Sequence, residues 1–318
     1  MIGPATVECP HWMLQQARGG RNASPSAGSG PVRTGIVNAV NAVALESARD
    51  AADAGIIDPV LIGNRDAIVR TADEIGWSIG GFEIIAADGE QAAAEAGARA
   101  AGAGDLGAVM KGHLHTDVFM RAVLNRDAGL RMGKPLTHVF HLTVPGRAGS
   151  LILTDCALNP APDVEAKKAL IGNAVTLAKA TGIARPNVAL LSATEVPSPH
   201  IPSTGEAVEL TEWARTHQPD AHVAGPLAFD LAVSAESARI KGIDGPVAGH
   251  ADIVVVPEIV SGNALYKGLV HFAGACAAGV VMGAKVPVLL TSRADPPAAR
   301  LASAALAGIV AHATSREG

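Results

Sequence analysis

The chain contains little cysteine. Three cysteines, Cys9, Cys156 and Cys276, are spread over 318 residues without a CxxC pair. An odd number at such wide spacing argues against a disulfide framework and a cysteine zinc site. Free thiols suit a reducing compartment, so we expect a cytoplasmic protein.

Long apolar runs and an excess of positive charge are also absent. The longest uncharged apolar stretch, residues 272–284, is too short to cross a bilayer, which takes about 20 residues. The formal net charge of −5 gives no general attraction to nucleic acid or to an anionic membrane. We therefore expect neither as a partner, and an anionic substrate would need a local cluster of Arg and Lys.

Several well-known nucleotide and hydrolase motifs are missing as well. The sequence contains no P-loop, HExxH or GxSxG. Gly102, Gly104 and Gly107 spell GxGxxG, but they follow a helical Ala-rich stretch and precede a strand, the reverse of the dinucleotide-binding order. These glycines instead predict the end of a helix.

The apolar residues that are present form an informative pattern. Short strand-like runs alternate with segments of helical period, which predicts a three-layer α/β fold with a parallel sheet. The clearest strands are expected at residues 35–39, 59–63, 82–87, 106–112, 150–155, 187–194, 251–257, 278–284 and 286–292. Helices are expected at residues 45–54, 66–75, 163–180 and 297–311, with Gly55, Gly76 and Gly182 after the first three.

The start of the chain differs from the rest. Residues 17–31 are rich in Gly, Ser and Pro and cannot bury apolar surface. We therefore expect a flexible amino-terminal arm over residues 1–31, with the fold beginning near Val32.

Polar side chains follow many of the predicted strands. Ligands of open α/β sheets bind outside the carboxyl ends of the strands. The candidate site residues on this basis are Lys111, Asp155, Asn159, Ser192, Thr194, Asn263, Lys267, Ser292, Arg293 and Asp295. Hydroxyls, amides and cations with few carboxylates suit a phosphate or pyrophosphate group.

Two other features near the strand ends allow two interpretations. His113 and His115 are possible metal ligands, but no Cys or carboxylate cluster accompanies them, which favours hydrogen-bonded histidines at a cleft rim. Cys156 is a possible nucleophile, but cysteine is more often a small buried hydrophobe. We expect no metal site and an inert thiol.

Seven segments, in order along the chain, point to one family. They are VMKGHLHTD (109–117), GLRMGKPLTHVF (129–140), LILTDCALNPAPD (151–163), NVALLSATEVPSPHIPSTGEA (187–207), GPLAFDLAVSAESARIKGIDGPVAGHADIVVVPE (225–258), SGNALYKGL (261–269) and AKVPVLLTSRAD (284–295). From Thr34 onward, over about nine-tenths of the chain, the sequence resembles the phosphate acetyltransferase and phosphate butyryltransferase family. It is most similar to the butyryltransferase-like branch, whose members include acyltransferase domains fused to enoyl-CoA hydratase-like domains.

This resemblance implies a fold and an assembly. The fold would be a two-domain isocitrate/isopropylmalate-dehydrogenase-like architecture with the active site in an interdomain cleft. Its first α/β domain would comprise residues 32–147 plus 292–318, and its second would comprise residues 148–291. A homodimer or higher homo-oligomer is implied, with coenzyme A and phosphate as substrates and no cofactor.

The resemblance also implies the chemistry. The CoA thiolate would attack the carbonyl of an acyl phosphate within a ternary complex, or phosphate would attack acyl-CoA in the reverse direction. The protein must then favour the thiolate, stabilise the tetrahedral oxyanion and neutralise the phosphate. Arg293 matches the family's phosphate-site arginine, and Ser292 would donate to the oxyanion or the phosphate. Alternatively, these two residues end a strand and pair with surface carboxylates.

Other candidates would bind substrate. Gly112 after Lys111 permits close approach of a phosphate, although a surface salt bridge is the alternative. Asn263 is expected at a helix start, where it either contacts substrate or acts as an N-cap, and Lys267 is either a ligand or a solvated lysine. The remaining predicted substrate-binding residues are Asn159, Ser192 and Thr194.

The chain departs from the family at the general base. In phosphate acetyltransferases a carboxylate in the first turn of the last helix, seven residues beyond the serine, assists thiol deprotonation, and Ala299 occupies that position here. Asp295 is the nearest substitute, but the two prolines that follow it also predict an N-cap. His113 or His115 is the next candidate base.

A second departure precedes Asn263. The branch usually reads acidic-Leu-Glu-Ala-Gly-Asn, whereas residues 258–263 read EIVSGN, so a glutamate is lost. Two other functions also remain open. A metal-dependent dehydrogenase of the same fold would need an Asp cluster for Mg²⁺, which is not evident. A non-catalytic CoA-binding or regulatory homologue that has lost its base would agree with Ala299.

Overall fold

The computed structural model describes residues 7–19, 30–290 and 295–315. The chain forms two compact units. We call residues 135–277 the central unit, and the described residues before 135 and after 277 the terminal unit. Each unit is built around its own set of strands.

Strands and helices alternate along most of the chain, as the apolar pattern predicts. The strands of the described residues are β1 (Val32–Val37), β2 (Ile57–Gly63), β3 (Glu83–Ala86), β4 (Ala108–Lys111), β5 (Thr137–Thr143), β6 (Leu151–Thr154), β7 (Asn187–Leu191), β8 (His222–Leu227), β9 (Ile253–Val255), β10 (Cys276–Met282) and β11 (Val288–Leu289). The helices are α1 (His11–Ala17), α2 (Ala42–Asp53), α3 (Arg65–Glu74), α4 (Gly89–Ala103), α5 (Thr116–Leu124), α6 (Val164–Ala180), α7 (Pro202–His217), α8 (Phe229–Val233), α9 (Ala235–Lys241), α10 (Ile259–Ala273) and α11 (Pro297–Thr314). The mixed α/β class is confirmed.

The strand order brings carboxyl ends together within each unit. In the terminal unit the order is β3-β2-β1-β4-β11-β10, parallel except for β10. In the central unit it is β5-β6-β9-β7-β8, parallel except for β5. The polar residues that follow β1 and β4 therefore share one edge of the terminal unit. Those that follow β6, β7 and β9 share one edge of the central unit.

The sequence pattern misses two strands. In β5, His138 and His141 are polar by type, yet both are buried, so the run does not look apolar. In β8, the Gly225-Pro226 pair interrupts the strand pattern, although the strand pairs in parallel with β7. Hydrogen bonding to neighbouring strands stabilises both, and this long-range pairing cannot be recognised from the local sequence.

The boundaries between the compact units lie earlier in the chain than the domain boundaries that the resemblance implies. The contacts place the changes after residues 134 and 277, whereas the expected domains change after residues 147 and 291. The first difference arises because β5 pairs antiparallel with β6 and therefore belongs to the central unit.

Part of the expected flexible arm is ordered. Of residues 1–31, the ranges 1–6 and 20–29 lie outside the described residues, but residues 11–17 form helix α1. Met13 and Ala17, one helical turn apart, are buried. Ala17 lies against the Gly308 position of α11, so this helix is part of the terminal unit's core.

Helix ends follow the expected chemistry at several positions. Asn41 caps α2 by accepting a hydrogen bond from the Ala44 amide at 3.0 Å, and Asp163 caps α6 by accepting from the Ala166 amide at 2.8 Å. Gly104 ends α4 with φ 92°, which confirms that the GxGxxG pattern marks a helix stop.

Helix α11 is the most apolar long helix of the terminal unit. It is rich in alanine, and most of its residues are buried. Within residues 7–19, 30–290 and 295–315, no helix combines the length and hydropathy needed to cross a membrane.

Gly102 of α4 tests how tightly the terminal unit is packed. A Cβ at this position would lie 1.6 Å from the Ala128 carbonyl oxygen, whereas a Cβ at Gly205 of α7 would meet nothing within 4 Å. We expect Gly102→Ala to lower the free energy of unfolding by about 3 kcal/mol because the backbone must shift. Gly205→Ala should raise it by about 0.5–1 kcal/mol, since alanine favours helix. Urea denaturation measures both, and equal effects would contradict this packing.

Candidate functional site

Lys111 lies at the carboxyl edge of the terminal unit's sheet. It is the last residue of β4, half-buried, and opposite Val37 of β1. A Cβ at the following Gly112 would lie 2.5 Å from the Val37 carbonyl oxygen. The neighbouring backbone therefore requires this glycine, whereas the sequence suggested that a ligand does.

The loops that follow β1 and β4 are joined through Asn38 and His113. Their backbones meet where the His113 amide donates to the Asn38 carbonyl at 3.0 Å, and the Asn38 side-chain amide donates to the His113 carbonyl in return. Asn38 has φ 55°, a conformation that asparagine tolerates better than most residues. These contacts fix the backbone of His113.

The two histidines of the GHLH segment have different partners. Asn41 Nδ2 lies 3.1 Å from His113 Nδ1, whereas His115 Nδ1 lies 2.8 Å from Glu90 Oε2. Hydrogen bonds from His115 hold the pKa of the Glu90 carboxyl below its ordinary value, so Glu90 is a carboxylate that accepts from the ring. Both histidines are hydrogen-bonded, as predicted. Across the described ranges, no group of three or more metal-ligating side chains occurs.

Ser292 and Arg293 lie outside the described residues, within the segment 291–294. The strand that precedes them, β11, pairs with β4, and Leu289 lies opposite Met110. The chain therefore enters this segment from a strand end beside Lys111.

Asp295 is not the N-cap of the last helix. Helix α11 begins at Pro297, so Pro296 occupies the N-cap position and Asp295 lies one residue too early. The Asp295 backbone carbonyl accepts a hydrogen bond from Arg300 Nη1 at 2.6 Å. Ala299 lies in the first turn of α11 and is buried, so a methyl group occupies the position at which the resemblance implies a carboxylate.

In the central unit, a buried carboxylate organises the loop after β6. Asp155 is 1% exposed. Its oxygens accept hydrogen bonds from the backbone amides of His138, Ala157 and Leu158, each at 2.9 Å, and from Asn159 Nδ2 at 2.7 Å. Such a set of donors fixes the conformation of residues 155–159.

Two asparagines stabilise this loop: Asn159, which lies within it, and Asn263 of α10, which packs against it. Asn159 Nδ2 donates to Asp155 and also to the Leu136 carbonyl at 2.9 Å, so both of its amide hydrogens are used. Asn263 Nδ2 donates to the Cys156 carbonyl at 3.2 Å. Close approach of α10 requires Gly262, because a Cβ there would lie 2.9 Å from the Asp155 carbonyl oxygen.

The start of α10 corrects the expectation for Asn263. The helix begins at Ile259, and Glu258 is its N-cap, accepting from the amides of Val260 and Ser261. Asn263 therefore lies inside the helix and is not an N-cap. Val260, which stands where the branch has glutamate, is 71% exposed. Lys267 is also exposed.

Ser192 and Thr194 follow β7. Ser192 is buried, and its hydroxyl lies 2.8 Å from the Ser203 hydroxyl at the start of α7. Thr194 accepts a hydrogen bond from the Val196 amide at 3.3 Å. Of the predicted substrate-binding residues, Asn159, Ser192, Thr194 and Asn263 all follow or adjoin strand ends of the central unit, whereas Lys111 belongs to the terminal unit.

Cys156 is a buried thiol, as the sequence interpretation favoured. Its side chain is buried beside Asp155. Burial raises the pKa of the Cys156 thiol well above its usual range, and the neighbouring Asp155 carboxylate raises it further. A thiol that stays protonated at neutral pH is a poor nucleophile.

Two buried histidines of β5 were not singled out from the sequence. Burial lowers the pKa of His138 to about 4, against an opposing effect of Asp155, and burial likewise lowers the pKa of His141 to about 4. The tilted rings of His138 and Phe140 have centroids 4.3 Å apart, and Phe140 stacks on Tyr266 of α10 at 4.0 Å. The ring of His138 therefore adjoins the aromatic contact between β5 and α10.

Sequence reasoning also missed three supporting residues, Asn41, Glu90 and Ser203. An asparagine just before a helical run is a cap signal, so the position of Asn41 could have been recognised. Its contact with His113, 72 residues away, left no local signal.

Comparison with known proteins gives consistent matches. Residues 91–307 match the family described as "Phosphate acetyl/butaryl transferase". The phosphate acetyltransferase of Rhizobium meliloti is 41% identical over 301 residues, which cover 94% of this chain and 95% of that protein. The phosphate butyryltransferase of Clostridium acetobutylicum is 40% identical over 268 residues, which cover 84% of this chain and 89% of that protein.

A solved structure agrees with these sequence matches. The crystal structure of a branched-chain phosphotransacylase from Enterococcus faecalis superposes with a TM-score of 0.78 at 31% identity. The match covers 88% of this chain and 99% of that protein.

The buried histidines of β5 predict how stability depends on pH. Because the folded-state pKa values of about 4 lie below the unfolded value of 6.5, the unfolded chain binds more protons between these values. The free energy of unfolding should therefore fall as pH drops from 6.5 to 4, by up to about 3 kcal/mol for each histidine.

His138→Asn should reduce the slope of the free energy of unfolding against pH, between pH 4 and 6.5, by the contribution of about one proton. This holds whatever the substitution does to stability at pH 7. His217→Asn, at an exposed position of α7, is the control and should leave the slope unchanged. Urea denaturation at several pH values measures it. A slope that His138→Asn does not change would contradict a neutral buried His138.

Proposed function

Since this chain belongs to the phosphate acetyl/butaryl transferase family, we infer that it exchanges a short acyl group between coenzyme A and inorganic phosphate. The reaction is acyl-CoA + phosphate = acyl phosphate + CoA. The observation that carries this conclusion is the similarity, over most of the chain, to both an acetyltransferase and a butyryltransferase. The enzyme is accordingly an acyltransferase of this type.

The proposed roles of Arg293 and Ser292 rest on chemistry and on position in the chain. A guanidinium group binds two phosphoryl oxygens at once, and a serine hydroxyl donates to an oxyanion as charge develops. The strand before them ends beside Lys111, whose ammonium would add charge for the phosphate. We propose that these three residues neutralise phosphate in the transition state.

The central-unit residues would bind the remainder of the substrates. Because both amide hydrogens of Asn159 are used internally, its side chain can offer only the Oδ1 acceptor. This excludes it as a donor to phosphate through its amide and suits a hydroxyl or amide group of coenzyme A. Ser192, Thr194, Asn263 and Lys267 complete the proposed substrate-binding set.

Asp295 is our proposed proton acceptor for the CoA thiol. The N-cap alternative for this residue is removed, since Pro296 takes that position. The His115–Glu90 pair is the other candidate, because Glu90 accepts a hydrogen bond from Nδ1–H and leaves the Nε2 lone pair of His115 available.

Membership of the family also supports proposals on architecture, assembly and location. We propose the isocitrate/isopropylmalate-dehydrogenase-like architecture with an interdomain cleft, a homodimeric or larger assembly and a cytoplasmic location. Coenzyme A and phosphate act as substrates, and no additional cofactor is proposed. The alternative supported by Ala299 is a CoA-binding regulatory homologue without catalysis.

The activity is tested by phosphate-dependent loss of the thioester bond of acetyl-, propionyl- and butyryl-CoA, without added metal or NAD. We expect Arg293→Ala to lower turnover at least 100-fold, because it removes charge stabilisation from the transition state. Arg70→Ala, at an exposed position of α3, is the matched control and should leave turnover unchanged. Near-normal activity of Arg293→Ala would overturn the assigned role. CoA binding without acyl phosphate formation by the unmodified protein would favour the regulatory alternative.

The proton acceptor is tested by comparing Asp295→Asn with His115→Gln. If Asp295 is the base, its amide variant should lower kcat at least 100-fold, and the loss should diminish at high pH as free thiolate becomes abundant. Asp73→Asn, an exposed position of α3, is the control. A larger loss in His115→Gln than in Asp295→Asn would assign the role to the His115–Glu90 pair.

A further inference from the structure

His113, in the loop after β4, is held by hydrogen bonds at both its backbone and its ring. Its amide donates to the Asn38 carbonyl, and its carbonyl accepts from the Asn38 side chain. Gly112 packs against the backbone of β1. The side chain is half-buried at the carboxyl edge of the sheet, two residues beyond Lys111.

The orientation of the Asn41 amide is set by its role as the N-cap of α2. Its Oδ1 accepts from the Ala44 amide at 3.0 Å. A flipped side chain would instead place the NH₂ group against the Ala44 N–H, which cannot accept a hydrogen bond. The group that faces His113 Nδ1, at 3.1 Å, is therefore the NH₂ donor.

This contact selects one tautomer of His113. A neutral imidazole has one donor and one acceptor nitrogen. Since Nδ1 accepts from Asn41, the proton lies on Nε2, and a second proton on Nδ1 would face the amide hydrogens. Within the portion of the chain that the structure describes, Nε2 forms no hydrogen bond. His113 therefore has an uncommitted donor.

The neighbouring His115 has the opposite arrangement. Its Nδ1 donates to the Glu90 carboxylate, which leaves Nε2 as an acceptor. Glu90 also lies close enough to His113 for the two to interact electrostatically, although its hydrogen bonds go to His115. The GHLH segment thus presents one histidine as a donor and the other as an acceptor.

We propose that His113 contacts a substrate oxygen through Nε2–H as a neutral hydrogen-bond donor, and that Asn41 is the positioning residue that fixes this tautomer. This proposal rests on the acyl-transfer function above and deepens it. The oxygen belongs either to phosphate or to the acyl carbonyl, both of which accept hydrogen bonds and gain stabilisation from a preorganised donor. His113 is then not the general base.

Asn41→Asp tests the proposal because it replaces the hydrogen-bond donor that faces His113 Nδ1 with an acceptor, while the side chain can still cap α2. Aspartate caps a helix about as well as asparagine. Its carboxylate would accept a hydrogen bond from Nδ1–H, so the neutral ring of His113 would be held as the Nδ1–H tautomer, in which Nε2 is an acceptor and the proposed donor is lost. We expect kcat to fall at least tenfold, or KM for phosphate to rise tenfold if the oxygen belongs to phosphate. The pH profile should also change, which loss of a merely structural contact would not cause.

Asp163→Asn in α6 is the matched control, since it exchanges the same two capping residues away from His113. It should leave kcat and KM unchanged. ¹H–¹⁵N spectra of the histidine rings provide a readout without turnover. In the unmodified protein, His113 should show an unprotonated Nδ1 and a protonated Nε2. The Nε2–H resonance should shift when phosphate alone or acetyl-CoA alone is added.

A proton on Nδ1, no shift with either ligand, or wild-type kinetics in Asn41→Asp would each overturn the proposal. Because the spectra need no catalysis, they separate its failure from failure of the acyl-transfer function, which would appear as an inactive unmodified protein.

Discussion

The buried carboxylate of Asp155 is the interaction on which the central unit's candidate site depends. It places a charge at a nearly unexposed position, which is tolerable because four donors surround it. Those donors come from β5 and from the loop after β6, so the carboxylate joins a strand to the segment that carries Asn159. Helix α10 then packs on this loop through Gly262, and Asn263 adds a hydrogen bond to it. Without the carboxylate, these contacts would lose their common support.

In the terminal unit, neutral groups hold the loop that carries the candidate site residues. Asn38 and Gly112 hold the loop after β4 against β1, and Asn41 holds the ring of His113. In both units, several polar side chains at strand ends are therefore held by hydrogen bonds to backbone or to one another. Electrostatic catalysis benefits from such preorganisation, because donors that are already oriented need not reorganise as charge develops.

Much of this fold could be predicted from the sequence, and the failures have physical causes. Runs such as 59–63 and 251–257 are apolar because their strands are buried, so their positions follow from composition. The start of α10 was mispredicted because Glu258, a residue type outside the favoured N-cap set, caps the helix. The pairing of Asn41 with His113 could not be predicted, because it joins segments that lie 72 residues apart in the sequence. Ser292 and Arg293 lie outside the described residues, so the role of Arg293 stays a prediction from resemblance.

We propose that phosphate and CoA exchange the acyl group directly, with no acyl-enzyme intermediate on the buried Cys156. Isotope exchange tests this most directly. With acetyl-CoA and labelled CoA, we predict that label enters acetyl-CoA only when phosphate or acetyl phosphate is present, because the reverse reaction requires it. Exchange in the complete absence of phosphate would indicate a covalent acyl-enzyme, and no exchange in its presence would indicate that the protein does not catalyse the reaction. Either result would contradict the account.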